Sequence, residues 1–443
     1  MILHGGGYMV RGARLLLLFS LIFLLGWASA STVMASGFGI FTQGASALGQ
    51  ADAVTAHGDL PEAVFFNPAL ITRLFGTQAA LGTTLIFPDR EYAGDLTGDH
   101  EKTEDNYYYP STLYLTHALG EQLSLGLGVF SPFGLGTDWP DDWEGRYLAT
   151  KSSIATINVN PNLAWRITPA VSLAAGIDFL TLDAELESRV NLTAASGGFF
   201  GPLPDGNQTF EGDGDGVGYN LGLLIDLSDD FAFGASYRSE VKIDIDGEVS
   251  FELPPSLGAS VPEPFLTALR TALANSNAST DLTLPAVGTL GFAYSGIDRL
   301  VVEVGMRWEG WSSYDELVLV LDNGTVDTRR KNWHDTTSYN IGGNYRVNDW
   351  VTLLAGYLYG PSAVPDSTFE PAVPDSVSHL ICLGTDLTLG NTVISVGYGY
   401  QHLESVKKHN TVADPLSQAS ATRANGGYQS DLHLAGLSFN YRF

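Results

Sequence analysis

The chain has 443 residues, a net charge of −27 and only one cysteine, with 44% hydrophobic and 16% charged residues. That acidity excludes nucleic acid as a partner, because phosphates demand Lys and Arg. Cys382 alone excludes an intramolecular disulfide and a Cys-based zinc site. Mean hydropathy is just +0.07. Only one long apolar run occurs, at the extreme N-terminus, so a bundle of membrane helices is excluded as well. Apolar content without apolar runs is hydrophobicity spread by alternation, as in strands with one face to lipid.

The first 35 residues read as a signal peptide. Arg11 and Arg14 precede an apolar stretch at 15–25, and small residues then offer cleavage after Ala30 or Ala35. Residues 36–76 do not alternate, are rich in small residues, and carry Pro61 and Pro68. This stretch is too short for a core of its own. Ahead of a barrel, irregular backbone is tolerated where protein shields it from lipid, so a plug inside the lumen is expected.

From 77 to 443 the chain alternates, with turn signals between segments. Short connections fall at Gly120-Glu121-Gln122, Thr168-Pro169, Ser228-Asp229-Asp230, Gly296-Ile297-Asp298, Asn348-Asp349 and Gly390-Asn391. Long ones fall near 93–105, 136–150, 192–216, 252–279, 322–334, 360–376 and 405–428. Short periplasmic turns and long extracellular loops have this rhythm. The fold expected is all-β, a fourteen-stranded antiparallel transmembrane barrel with both ends periplasmic. Ile157, Val159, Leu163 and Trp165 share one face, opposite Asn158, Asn160 and Asn162. In the last segment Ala435, Leu437, Phe439, Tyr441 and the terminal Phe443 do the same. Residues 262–278 form the one convincing helix, with Phe265, Leu269 and Leu273 on one face. In an exposed loop that stripe either captures apolar solutes or packs on a neighbouring loop. Pro132, Phe133 and Gly134 sit in the third strand, where Pro breaks a ladder and Gly bends it. The stretch reads either as a kink or as the strand's end.

Three stretches carry a family likeness. Ser36-Gly37-Phe38-Gly39, Gln43-Gly44-Ala45-Ser46-Ala47-Leu48-Gly49 and Phe65-Phe66-Asn67-Pro68-Ala69-Leu70-Ile71 resemble the N-terminal hatch of the FadL-type long-chain fatty acid and hydrocarbon transporters. The likeness continues through 214–223, Tyr237-Arg238-Ser239, Trp311-Ser312, Trp333-His334-Asp335 and the final strand. The resemblance implies a hatch at 36–76 plugging the lumen and a mature chain starting near Ser36. It also implies passive uptake of hydrophobic molecules, with a sideways exit at a kinked third strand. It implies insertion by the barrel-assembly machinery, which in this class reads the C-terminal aromatic. Contacts with outer-membrane lipids and lipopolysaccharide follow from an outer-membrane location, and a plugged barrel can work as a monomer.

Within that frame Phe38 and Phe41 are candidate ligand contacts, and Asn67 with Pro68 a rigid turn bridging hatch to wall. A fatty acid carboxylate would want a cation. Strand parity puts Arg189, Arg238, Lys242 and Arg307 on the lumenal face, each with acidic neighbours such as Glu187, Glu240 and Glu303. Ion pairing within the lumen is the default, since charges shielded from water are usually paired. The glycine-rich run 211–218 is too acidic for phosphate, lacks a calcium loop's spacing, and reads as a turn entering a strand. No metal, cofactor or catalytic motif stands out, so transport is expected. Long-chain fatty acids lead, hydrocarbons are the alternative, and an outer-membrane lipid-modifying enzyme is the distant third.

Overall fold

The structure is a computed structural model, and it describes residues 37–412 and 424–443. The expected signal peptide and both cleavage points lie outside the described residues. Alternating segments pair with their neighbours in sequence until β1 (Thr77–Gly94) meets β20 (Gly426–Arg442) and closes the sheet. The wall is a closed antiparallel barrel of fourteen strands. Going round from β1 these are β3 (Ser111–Ala118), β4 (Leu123–Phe130), β6 (Lys151–Thr168), β7 (Val171–Val190), β8 (Gly206–Asp226) and β9 (Phe231–Arg238). Then come β12 (Val287–Ile297), β13 (Leu300–Glu309), β16 (Thr336–Arg346), β17 (Val351–Gly360), β18 (Ser378–Leu389), β19 (Thr392–Lys408) and β20. The remaining strands are β2 (His100–Lys102), β5 (Gly134–Asp138), β10 (Val241–Glu252), β11 (Ser276–Leu284), β14 (Glu316–Leu321) and β15 (Val326–Arg330). They extend wall strands or form a rim at the long-loop end.

All six short turns fall between wall strands as expected. Several long loops are shorter than expected, because pairing continues above the apolar band. Residues 211–218 lie inside β8, opposite β7 and β10, and form no turn. The helix spans Glu263–Ala272 and stops short of Ala278, because Ser276 onward pairs as β11 with β10.

Lipid decides which side chains point out. Ile157, Val159, Leu163, Trp165, Ile381, Leu383, Leu437 and Phe439 are all exposed on the outer face, while Asn158, Asn160 and Ser438 are buried inside. Closure leaves no sheet edge unsatisfied in hydrocarbon. No helix among the described residues is long and apolar enough to cross a membrane, so the crossing is by strands.

Above this band the polarity inverts. In β7, Leu173, Ile177 and Phe179 are exposed outside, whereas Leu180 and Leu182 are buried inside. The outer face then turns acidic, with like charges directly opposed. Asp213 faces Asp183 and Asp246, and Glu211 faces Glu185 and Glu248. Such pairs are destabilising in a sheet, and Lys151 and Lys242 offset part of the cost by pairing with Glu185 and with Asp244 and Asp281.

Two parity assignments are corrected here. Arg189 lies on the outer face of β7 beside Lys151's partners and pairs with Asp141. The apolar face it was read against switches sides at Leu180. Lys242 is also outside, with Val241, Ile243 and Ile245 buried. Between Arg238 opposite Asn220 and Asp244 opposite Asp215, the chain carries one extra residue. That bulge flips every later side chain to the other face.

The outer face of β20 supplies a direct test. Leu437→Arg, set between Tyr441 and His433, is expected to destabilise the folded barrel in bilayers by about 2–4 kcal/mol. Equilibrium unfolding measures it; a neutral outcome contradicts the assigned lipid face.

Candidate functional site

The N-terminal segment is held against the wall's inner face by backbone-directed bonds. Its ordered pieces are the helices Ala45–Gly49 and Ala63–Phe66 and the 3₁₀ turn Pro68–Arg73. Short helices leave many amides without partners, and wall side chains take them up. The Glu303 carboxylate accepts from the amides of Thr55 (2.7 Å), Ala56 (2.9 Å) and His57 (3.0 Å) and contacts His57 Nδ1 (2.7 Å). Asn340 donates to the Ala51 carbonyl at 2.9 Å. The Ala45 amide donates to Ser438 Oγ at 3.1 Å. Close approach needs a wall without side chains there: a Cβ at Gly342 or Gly356 would run into the backbone of Gln50.

Asn67 is fully buried. Its Nδ2 donates to the carbonyls of Thr55 (2.8 Å) and Leu223 (3.0 Å), and its Oδ1 accepts from Ala69 N at 3.1 Å. Pro68 starts the 3₁₀ turn, where a missing N–H costs nothing. This turn does tie the segment to β8.

The third wall strand is interrupted. β4 ends at Phe130 and β5 resumes at Gly134, both paired with β6. Across the gap the ladder partner is the N-terminal segment. Ile40 donates to the Pro132 carbonyl (2.8 Å) and Gly134 donates to the Phe38 carbonyl (2.9 Å). Gln43 Nε2 caps the Ser131 carbonyl at 2.6 Å. The strand therefore detours and continues; it does not end there. On the other side β3 starts only at Ser111, so β5 has no neighbouring strand. Residues 103–110 cross this opening instead. Glu104 N donates to Asp138 O (2.8 Å), and Tyr108 packs against Gly136, where a Cβ would strike its ring.

Behind the opening lies a cavity of about 480 Å³, within the range of small-molecule sites. Ile86, Phe133, Leu135, Ile154, Leu358, Leu380 and Leu434 give it apolar walls, and Phe38, Ile40 and Phe41 a floor from the N-terminal segment. Arg90, Arg307, Asp52 and Asp375 are its charged groups. Phe38, Leu135, Ile154 and Val373 also line a second cavity of about 100 Å³, rimmed by Lys151, Arg329 and Lys331. Phe38 thus stands between the two, ringed by Trp311 (4.7 Å between centroids), Trp333 (5.7 Å) and Tyr314 (6.2 Å).

The expected site residues separate as follows. Phe38, Phe41, Phe133 and Gly134 line the main cavity; Asn67 and Pro68 do not. Pro132 lines a smaller pocket beneath it with Phe41, Arg238 and Arg307. Arg238 faces inward and pairs with Asp178, with its guanidinium over the rings of Phe65 and Phe130. Arg307 lies over Phe41, 3.4 Å from its centroid, with Glu309 at 3.7 Å. Arg189 and Lys242 are outside. The stripe on helix Glu263–Ala272 packs down: Leu266 and Leu269 are buried against Leu192, Leu203 and Leu257, with Phe265 and Leu273 at the edge. As placed, it is covered by its neighbouring loop.

Arg90 was missed. Its signal was present, since exposed Phe87, Asp89 and Glu91 on β1 alternate with inward Ile86, Pro88 and Arg90. The loop cation Lys331 was missed too. It pairs with Glu370, and burial pushes its pKa down to about 7. Burial likewise raises the loop carboxyl of Asp375 to about 6, although Gly37 N (3.1 Å) and Ser362 Oγ (2.9 Å) donate to it.

A closed, lipid-banded barrel with an apolar internal cavity places the chain in the class of outer-membrane β-barrel proteins. The sequence matches the family described as "Outer membrane protein transport protein (OMPP1/FadL/TodX)" over residues 26–443. The chain belongs to that family and is a multi-pass outer-membrane protein. It is 27% identical to the long-chain fatty acid transport protein of Escherichia coli O6:H1, covering 85% of this chain and 87% of that one. It is 26% identical to the 47 kDa outer membrane protein of Pasteurella multocida, covering 94% and 96%. Among solved structures, a FadL homologue from Pseudomonas aeruginosa matches with TM-score 0.81 at 22% identity, covering 92% and 100%. The Pseudomonas putida toluene transporter TodX matches with TM-score 0.73 at 19% identity, covering 90% and 98%. These two likenesses bear on the fold.

Asn67→Ala removes the bond that bridges to Leu223 of β8 and the bond to Thr55 within the segment, a loss of about 1–3 kcal/mol. Limited proteolysis is expected to cut within 37–76 faster in this variant than in the parent. Equal cleavage rates would contradict the bridging role.

Proposed function

We propose that this protein is a channel for passive uptake of hydrophobic molecules across the outer membrane, long-chain fatty acids first among them. In this reading residues 1–35 are a signal peptide, 36–76 a hatch closing the lumen, and 77–443 the transmembrane barrel. Solute rests in the apolar cavity and leaves sideways into the bilayer at the Pro132–Phe133–Gly134 detour. The observation that carries it is the detour itself: the wall lacks strand pairing where an apolar cavity lies directly behind it. An apolar solute crossing there avoids water on its way to hydrocarbon, so no energy source is needed beyond its gradient. Phe38, standing between two cavities, is the contact that moves if solute passes from the outer cavity inward. The barrel works as a monomer, inserted by the assembly machinery and surrounded by lipid and lipopolysaccharide. Its role is transport and not catalysis.

Hydrocarbon uptake is the second reading. It is favoured by the pairing of Arg238 with Asp178 and of Arg307 with Glu309, which leaves those cations occupied.

Uptake of radiolabelled oleate and toluene by cells lacking their own transporters tests both readings. Expression of this chain is expected to restore oleate uptake. Restoration of toluene uptake alone moves the protein to the hydrocarbon branch, and restoration of neither overturns the transport proposal.

A further inference from the structure

Two cations line the main cavity, Arg90 and Arg307, and they are held differently. Arg90 Nη1 donates to the Gly136 carbonyl at 2.7 Å, across the opening. No carboxylate of the described residues lies in ion-pair contact with it, whereas Arg238, Arg307 and the loop cation Lys331 each have one. A guanidinium carries five N–H donors, and the bond to Gly136 uses one of them, beside a cavity that Arg90 lines. The acids that share the cavity have their hydrogen bonds elsewhere, and Asp375 acts on Arg90 only through space. Asp375 accepts from Gly37 N, Ser362 Oγ and Ala363 N, and Asp52 faces Arg307. Partly buried charges without a partner are uncommon, and a ligand anion is one way to complete them.

Depth supports the same reading. On β1, Phe87 is exposed to the apolar band, and Asp89 and Glu91 follow it on the outer face. Tyr107 and Tyr109 are 62% and 66% exposed at the mouth of the opening, in the manner of interfacial aromatics. Arg90 therefore stands at the boundary between water and hydrocarbon. An amphiphile crossing the wall there has its polar head at that level and its chain among Ile86, Phe133, Leu135 and Ile154.

We infer that Arg90 is the carboxylate-binding group of the opening, selecting long-chain monocarboxylates over neutral hydrophobes of the same shape. The inference rests on the uptake reading of the cavity. Guanidinium and carboxylate form a planar, bidentate pair, and the Gly136 carbonyl holds the guanidinium in place until the ligand arrives.

The test is equilibrium binding of oleate and of oleyl alcohol, matched in chain but uncharged, to the purified full-length protein in detergent. Arg90→Gln is expected to weaken oleate about tenfold or more while oleyl alcohol stays within about twofold, the effect of one charged hydrogen-bonded contact. Arg90→Lys, which keeps the charge, is expected to retain oleate within about threefold to fivefold of the parent. An unchanged ratio of oleate to alcohol affinity in Arg90→Gln overturns the inference. Equal weakening of both ligands also overturns it, leaving Arg90 as a brace for β5 alone. If the parent binds the alcohol but not oleate, the inference falls and the uptake reading stands. If the parent binds neither, both fall.

Discussion

Hydrocarbon offers a backbone no hydrogen bonds, so every N–H and C=O at membrane depth must be satisfied within the protein. The detour between β4 and β5 breaks this rule for the wall considered alone. The rule is restored by Phe38 and Ile40, whose backbones bond to Gly134 and Pro132. Most of the site's arrangement follows from that exchange. The wall can open at this position because the N-terminal segment closes its ladder. Phe38 and Ile40 must then lie at the opening, which puts Phe38 between the two cavities. The rest of the segment is anchored on the far side, where Glu303 gathers three successive amides and Asn67 ties the 3₁₀ turn to β8. The segment's backbone and the pairing of the wall are thus joined at the detour.

The charged groups sort by the same geometry. Inside the wall, Arg238 and Arg307 each sit beside an acid and over an aromatic face. Outside, above the lipid band, carboxylates face one another across β7, β8 and β10. That face bears no apolar burden, so acidic pairs cost little in water compared with what they would cost within the band. Arg90 belongs to neither group, since it borders an opening.

The lipid-facing part of the barrel was legible in the sequence for a physical reason. Where one face meets hydrocarbon, register is strongly specified, and Ile157 through Trp165 or Ala435 through Phe443 can be read from alternation alone. The turns between those stretches were equally plain. Above the band the cue reverses, because apolar side chains such as Leu180, Leu182 and Ile243 now face inward. Arg189 was misplaced for that reason, and Lys242 by the bulge after Arg238. Alternation cannot announce a one-residue insertion in a strand whose two faces are glycine and acid. The helix was overextended because Ala274 and Ala278 suit a helix as well as Leu269 does, and only pairing with β10 ends it. Of the residues singled out in the sequence, Phe38, Phe41, Phe133 and Gly134 line the cavity, and Pro132 lies in the detour. Arg90 was passed over, although β1 runs through it opposite β20.

Residue-resolved hydrogen exchange of the protein in lipid nanodiscs tests the shared ladder most directly. The amides of Ile40 and Gly134 are expected to be protected to the same degree, and to lose protection together when oleate is added. Strong protection of Gly134 with free exchange at Ile40 would contradict the account, because the wall would then be satisfied without the N-terminal segment.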